Sequence, residues 1–311
     1  MLPFHTILSR EPLKPLMRSA LYPVIYSVVT EFGGQVTAVQ VKAMRKGIRD
    51  FPPRLRIEER QREDGGWDPQ IDGRTELWEA ALTLFKLADF GANQFDAVVQ
   101  MGVDFVYAHQ LGSGLFPLPL PENGLLLFIL TSLGYVHNRD NNRLIQRILQ
   151  LQRPDGGWGR ADVPSVRSEE ETPSDVGATL HLLLGLSAFE EFRDAHEMRR
   201  ACDFLLASIF KRMHSKGYTR VRDWHSLYYE WDEAGALGWP AVKLLYILTR
   251  FGYERTDESL ESVFRWVRDQ QLTNGMWGHN DDGNEFLTIW VLRAVRMLYY
   301  PDFRPDVPDV F

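Results

Sequence analysis

The residues best suited to chemistry in this sequence sit in three groups. The segment Gly278-His279-Asn280-Asp281-Asp282-Gly283-Asn284-Glu285 opens an apolar helical stretch. Acids at a helix start cap free N–H groups and complement the dipole, which is one account of Asp281, Asp282 and Glu285. Two adjacent carboxylates beside a cavity could also share a proton, one pKa being raised for acid catalysis, or hold Mg2+ for a diphosphate. Glu76 and Glu79, flanking Trp78 at the start of another apolar stretch, read the same way. His181 lies inside Leu180-His181-Leu182-Leu183-Leu184. Such a histidine either bonds a neighbouring helix from the core or faces a cavity as acid or base. The third group is the long loop 219–239, the densest aromatic stretch of the chain, with Trp224, Tyr228, Tyr229, Trp231 and Trp239. Aromatic faces in a cavity stabilise cations or stack on sugars, and they also fill cores.

Elements able to position these groups repeat along the chain. Gln61-Arg-Glu-Asp-Gly65-Gly-Trp67 recurs at Gln152–Trp158 and Gln271–Trp277, always as Gln-x3-Gly-x-Trp. Weaker copies end at Phe116 and at Tyr218. Repetition at intervals of roughly 40 to 60 residues fits one helical hairpin per copy and is the mark of a repeat architecture. Most copies follow an amphipathic stretch (Leu144-Ile148-Leu151, Met198-Ala201-Phe204-Leu205, Leu260-Val263-Trp266-Val267). A more uniformly apolar stretch follows each copy: 78–87, 125–133, 176–186, 241–248 and 286–297. Helices apolar all round are buried all round, so each unit pairs an outer with an inner helix. Period-two runs of β-branched residues are missing. Asp-Gly and Asn-Gly supply the positive φ that ends a helix. The Gln amide is then placed to bond the exposed backbone there, and the Trp ring to fold back onto the helix end. The motif is accordingly expected to clamp hairpins together.

Composition is that of a globular protein: 311 residues, 44% hydrophobic, 25% charged. We expect an N-terminal arm over 1–35, one α/α domain over 36–300 and a tail over 301–311. A net charge of −7 with interleaved bases is no nucleic-acid footprint. The single cysteine, Cys202, excludes a cysteine-rich zinc site and is expected to be a buried small hydrophobe. Neither a signal peptide nor a membrane span is legible, so the expected location is cytoplasmic, with membrane association open to the apolar arm around Leu21–Tyr26.

Gln-x3-Gly-x-Trp at this spacing resembles the repeat of squalene–hopene and oxidosqualene cyclases, in the superfamily that includes class II diterpene cyclases and protein prenyltransferase β-subunits. The resemblance covers roughly residues 36–300. It implies an all-α fold, an (α/α) toroid of five to six hairpins around a central cavity. By that resemblance the chain acts on a hydrophobic isoprenoid through acid-initiated carbocation chemistry, without a cofactor. The Asp-rich acid motif of those cyclases corresponds to Ser174-Asp175-Val176-Gly177-Ala178-Thr179, which keeps Asp175 but has Gly177 and Ala178 where further acids stand. The initiating acid would then be Asp175, Asp281 or Asp282. If Gly177 faces the cavity, His181 lies one turn deeper on the same face, and Glu79 takes the position of Gly177 in its own unit. Trp78, Glu79, Tyr228, Tyr229, Trp231, Trp239 and Glu285 are the expected substrate contacts. Other outcomes are a lipid- or partner-binding toroid that has lost its chemistry, and a polysaccharide lyase or hydrolase on the same fold.

Overall fold

The computed structural model describes residues 1–33, 36–160, 174–209 and 224–305. The repeat copy at Tyr218 and the acidic run Glu169-Glu170-Glu171 lie outside these residues. Fourteen α-helices are formed among the described residues: α1 (Leu13–Leu16), α2 (Tyr22–Phe32), α3 (Ala38–Arg49), α4 (Pro52–Glu58), α5 (Glu76–Asp89), α6 (Ala97–Ala108), α7 (Leu120–Ser132), α8 (Arg139–Gln150), α9 (Val176–Leu186), α10 (His196–Ser208), α11 (Glu233–Leu237), α12 (Pro240–Arg250), α13 (Glu258–Asp269) and α14 (Glu285–Tyr299). The only strand-like pairing there is an isolated bridge between Trp277 and Asn284.

Each expected apolar stretch is an inner helix. In order, α5, α7, α9, α12 and α14 pack side by side, and α2 continues the series on α14. The outer helices α6, α8, α10 and α13 alternate with them; α8, α10 and α13 expose a charged face, whereas α6 exposes Gln100, Met101 and Asp104. The chain is an α/α toroid. Polar caps start the inner helices: Thr75 accepts from the Trp78 N–H, Asp175 from that of Ala178, and Asn284 from that of Leu287. Such caps are worth about 0.5–2 kcal/mol each. Contact is closest between α7 and α9, where a Cβ on Gly124 would stand 2.5 Å from the His181 carbonyl oxygen.

The Gln-x3-Gly-x-Trp copies share one geometry. The indoles of Trp67, Trp158 and Trp277 are fully buried. Each N–H donates to a carbonyl ten residues earlier, of Ile57 (2.9 Å), Ile148 (2.7 Å) and Val267 (2.7 Å). Each Gln amide donates twice. Gln61 reaches its own Gly65 carbonyl and that of Val98; Gln152 reaches Gly156 and Glu197. Gln110 does the same with Gly114 and Asp140. One bond closes the turn and the other holds the start of the next outer helix. The last copy differs in its target. Gln271 bonds Gly275 and the carbonyl of Arg10, in the N-terminal segment. Gly275 has φ +91°, and a Cβ there would meet the Glu11 carbonyl oxygen at 2.8 Å. Only glycine suits both the conformation and the approach.

Candidate functional site

The segment 224–239 fills the middle of the ring. Tyr229 and Trp239 are each 1% exposed. Their rings lie 5.3 Å apart, and Trp239 stacks on Trp290 of α14 at 5.9 Å and 30°. Phe128 of α7 and Tyr246 of α12 close on Trp290 at 5.2 and 5.4 Å, and Phe85 of α5 meets Tyr229 at 5.9 Å. Trp239 is the one described non-glycine residue with positive φ (48°). That conformation costs about 1–3 kcal/mol and persists where packing over-determines it. Its indole N–H bonds the Gly235 carbonyl and Lys243 lies 4.7 Å from its ring centre, so the residue is held from several sides.

Aromatic hydrogen bonds from this layer converge on a carboxylate that the sequence reading did not single out, Asp89. The Tyr229 hydroxyl donates to Asp89 Oδ2 at 2.6 Å, and Trp231 Nε1 donates to the same oxygen at 2.7 Å. Trp290 Nε1 in turn donates to the Tyr229 hydroxyl at 3.1 Å. Burial pushes the Asp89 carboxyl up to about 6, against the lowering effect of those donors and of the Arg293 charge. Desolvation therefore outweighs four favourable partners, Tyr229, Trp231, Arg293 and Trp290. Burial and then the Asp89 charge raise Tyr229 well above the usual phenol range, so it stays a donor. Asp89 opens onto a cavity of about 280 Å3, with Phe85, Tyr246 and Trp290 as aromatic walls. Glu31, Arg250 and Arg293 share its lining. Arg293 binds both oxygens of Glu31 at 2.7 Å and lies 4.3 Å from the Trp290 ring centre.

A signal for Asp89 is present in the sequence. It is the last residue of α5, inside Leu87-Ala88-Asp89-Phe90, where the negative end of the helix dipole disfavours an acid. Lys243 is a similar case. It stands in the apolar run of α12, fully buried, its Nζ 2.6 Å from the Ala236 carbonyl and 3.2 Å from His181 Nε2. Burial holds its pKa well below the ordinary lysine value.

Of the residues expected at the site, Tyr229 and Trp231 meet at Asp89, and Trp239 packs on Tyr229. Tyr228 points its hydroxyl to Asp232 (3.3 Å) and its ring edge to His279. Asp175 is the cap of α9, and His181 is buried against Lys243. Asp281 and Asp282 stand on an exposed turn, where their backbone carbonyls accept from Asn274. The side-chain cap of α14 is Asn284 instead. Glu285 is half-buried, and burial raises its carboxyl pKa. Trp78 is buried in α5. Glu79 is bound by Arg74 at 2.6 Å beside a separate groove. The structure thus does not bring Asp175, His181, Asp281 and Asp282 together. Among the described residues no three His, Cys, Asp or Glu side chains converge as a metal site, and no helix is long and apolar enough to cross a membrane. Cys202 is buried, and that burial raises its thiol pKa.

No family model matches the sequence, and no curated protein is similar to it. Solved structures are similar in fold. The type II terpene cyclase MstE from Scytonema aligns with a TM-score of 0.50 at 13% identity, covering 89% of this chain and 87% of that one. A protein from Actinoplanes aligns at 0.49 and 14% identity, over 89% and 88%. A variant of MstE in complex with its substrate, geranylgeranyl dihydroxybenzoate, aligns at 0.47 and 14%, over 81% and 73%. At this identity the likeness to MstE establishes the fold, an all-helical toroid of the kind terpene cyclases use.

Proposed function

We propose that the chain is a terpene-cyclase-like enzyme that protonates a short prenyl chain, with Asp89 as the acid. One observation carries this reading: a carboxyl with its pKa raised to about 6 opens onto a cavity whose lining includes Phe85, Tyr246 and Trp290, beside Glu31, Arg250, Arg293 and Arg296. Perturbed acids in clefts mark functional sites more often than chance. The protonated carboxyl gives its proton to a terminal alkene carbon, and the π bond supplies the electrons. The resulting cation is met by the rings of Phe85 and Tyr246, worth about 0.5–1 kcal/mol each where solvent still reaches the cavity. Tyr229 and Trp231 hold the Asp89 carboxylate formed in that step. Loss of a proton from the cyclised cation back to Asp89 restores the acid and balances the reaction as an isomerisation. The cavity is slightly below the ~300–1,000 Å3 of drug-sized ligand pockets, which favours a short prenyl unit over a triterpene.

Incubation with geranyl, farnesyl and geranylgeranyl derivatives and with squalene tests this. A cyclised product from wild-type protein, absent with Asp89→Asn and retained with Asp281→Asn and Asp282→Asn, is the expected result. Product formation untouched by Asp89→Asn would remove Asp89 as the acid.

The filled ring centre favours a second reading, a toroid that binds without reacting. Tyr229 and Trp239 occupy the space a deep funnel would need. Tight binding of a prenyl compound with no turnover would select it. A glycosidase reading has less support. The carboxylates of the open groove are Glu59 and Glu79, and Glu79 is already held by Arg74.

A further inference from the structure

A second depression, of about 510 Å3, lies between α4 and α5 and shares with the residues around Asp89 only Trp231. Four cations line it: Arg56 from the last turn of α4, Arg60 from the turn after it, Arg74 from the following loop, and Lys86 from α5. Cations at the end of a helix are ordinarily explained by its dipole, and that account covers Arg56 and Arg60. It does not cover Lys86, which comes from another helix and is half-buried. The Lys86 ammonium lies 4.9 Å from the Trp231 ring centre and 5.8 Å from that of Phe90. Among the described residues, Arg56, Arg60 and Lys86 have no carboxylate within salt-bridge distance. Arg60 instead donates to Gln70 Oε1 at 3.3 Å. Of the two acids in the lining, Glu79 is consumed by Arg74, and Glu59 remains. The lining carries four positive and two negative charges.

Like charges gathered from separate elements are held apart at a cost unless an anion joins them. Lys86 registers that cost: burial first, then Arg60 and Arg56, lower its pKa, with Glu230 opposing. Guanidinium forks suit phosphate oxygens, and an ammonium adds a point charge.

We infer that this groove binds the diphosphate head group of the substrate, through Arg56, Arg60 and Lys86. The inference rests on the cyclase reading for what is attached to the diphosphate, but the anion site itself does not. Trp231 supplies the link. It walls the groove, and its indole N–H contacts Asp89.

Isothermal titration of the full chain with inorganic diphosphate at low ionic strength tests the site. The expected result is one saturable site that weakens as salt is added. Lys86→Met and Arg60→Gln should each weaken it tenfold or more. Arg265→Gln, on the exposed face of α13, should leave it unchanged. Arg60 is exposed, so its variant should keep the wild-type melting temperature and separate lost binding from lost folding. Asp89→Asn should bind diphosphate normally, so failure of the acid reading and failure of the anion site give different results. Absence of saturation, equal binding by both groove variants, or tighter binding of trigalacturonate than of diphosphate would overturn the inference.

Discussion

Asp89 ties the chemistry to stability, because its folded pKa lies above the ~3.8–3.9 of a free aspartate. The proton is bound more tightly in the folded chain. This group's contribution to stability is therefore complete below about pH 4 and is lost as pH rises through about 6. The raised pKa corresponds to at most roughly 3 kcal/mol. Asp89→Asn removes that dependence. Its melting temperature relative to wild type should rise between pH 4 and 7 and then stay level, as differential scanning fluorimetry across pH would show. Activity that needs the protonated acid should fall on the alkaline side of about pH 6. Tyr229→Phe deletes a 2.6 Å hydrogen bond that favours the carboxylate. The alkaline limb should then move to higher pH, and a limb that stayed put would separate it from Asp89.

Elements were more legible in the sequence than the site, and particular residues show why. The apolar stretches became α5, α7, α9, α12 and α14 because a helix with no polar face has nowhere to go but inside. The Gln and Trp of the repeat bond backbone groups within their own turn or on the adjoining helix, so their role follows from local chemistry. Asp281 and Asp282 looked like the opening of α14, yet Asn284 is its cap and the acids remain on the turn before it. One turn of offset separates a cap from a solvated loop. Asp89 depends on contacts 140 and 142 residues away, with Tyr229 and Trp231, and no periodicity encodes such pairings. The same reasoning predicts how the clamps respond to change. Trp158→Phe keeps most of the ring packing but leaves the buried Ile148 carbonyl without the indole donor. The carbonyl keeps the Leu151 N–H at 3.1 Å, so the loss should be about 0.5–1.5 kcal/mol in urea unfolding. Trp158→Ala should cost about 3–5 kcal/mol.

At the scale of the whole molecule, the ring is joined end to end by the same device that joins its neighbours. Gln61, Gln110 and Gln152 each reach the start of the next outer helix, and Gln271 would have nothing to reach if the series simply stopped. Its second bond goes instead to the Arg10 carbonyl, and the Arg10 N–H returns a bond to Gln271 Oε1 at 2.9 Å. Glu11 packs on Gly275 where an outer-helix backbone would pack in other units. The N-terminal segment thus stands in for a missing repeat, and α2 on α14 extends the closure inward. A clamp inside the series is backed by covalent continuity through the hairpin, whereas the closing clamp joins positions 261 residues apart. Removing it should therefore free an end rather than loosen the middle. In Gln271→Ala, limited trypsin digestion should cut at Arg10, Lys14 or Arg18 several-fold faster than in wild type. Gln152→Ala should lower global stability by a similar ~1–2 kcal/mol without exposing those sites. Equal protection of the arm in both variants would mean that α1 and α2 hold it without the clamp.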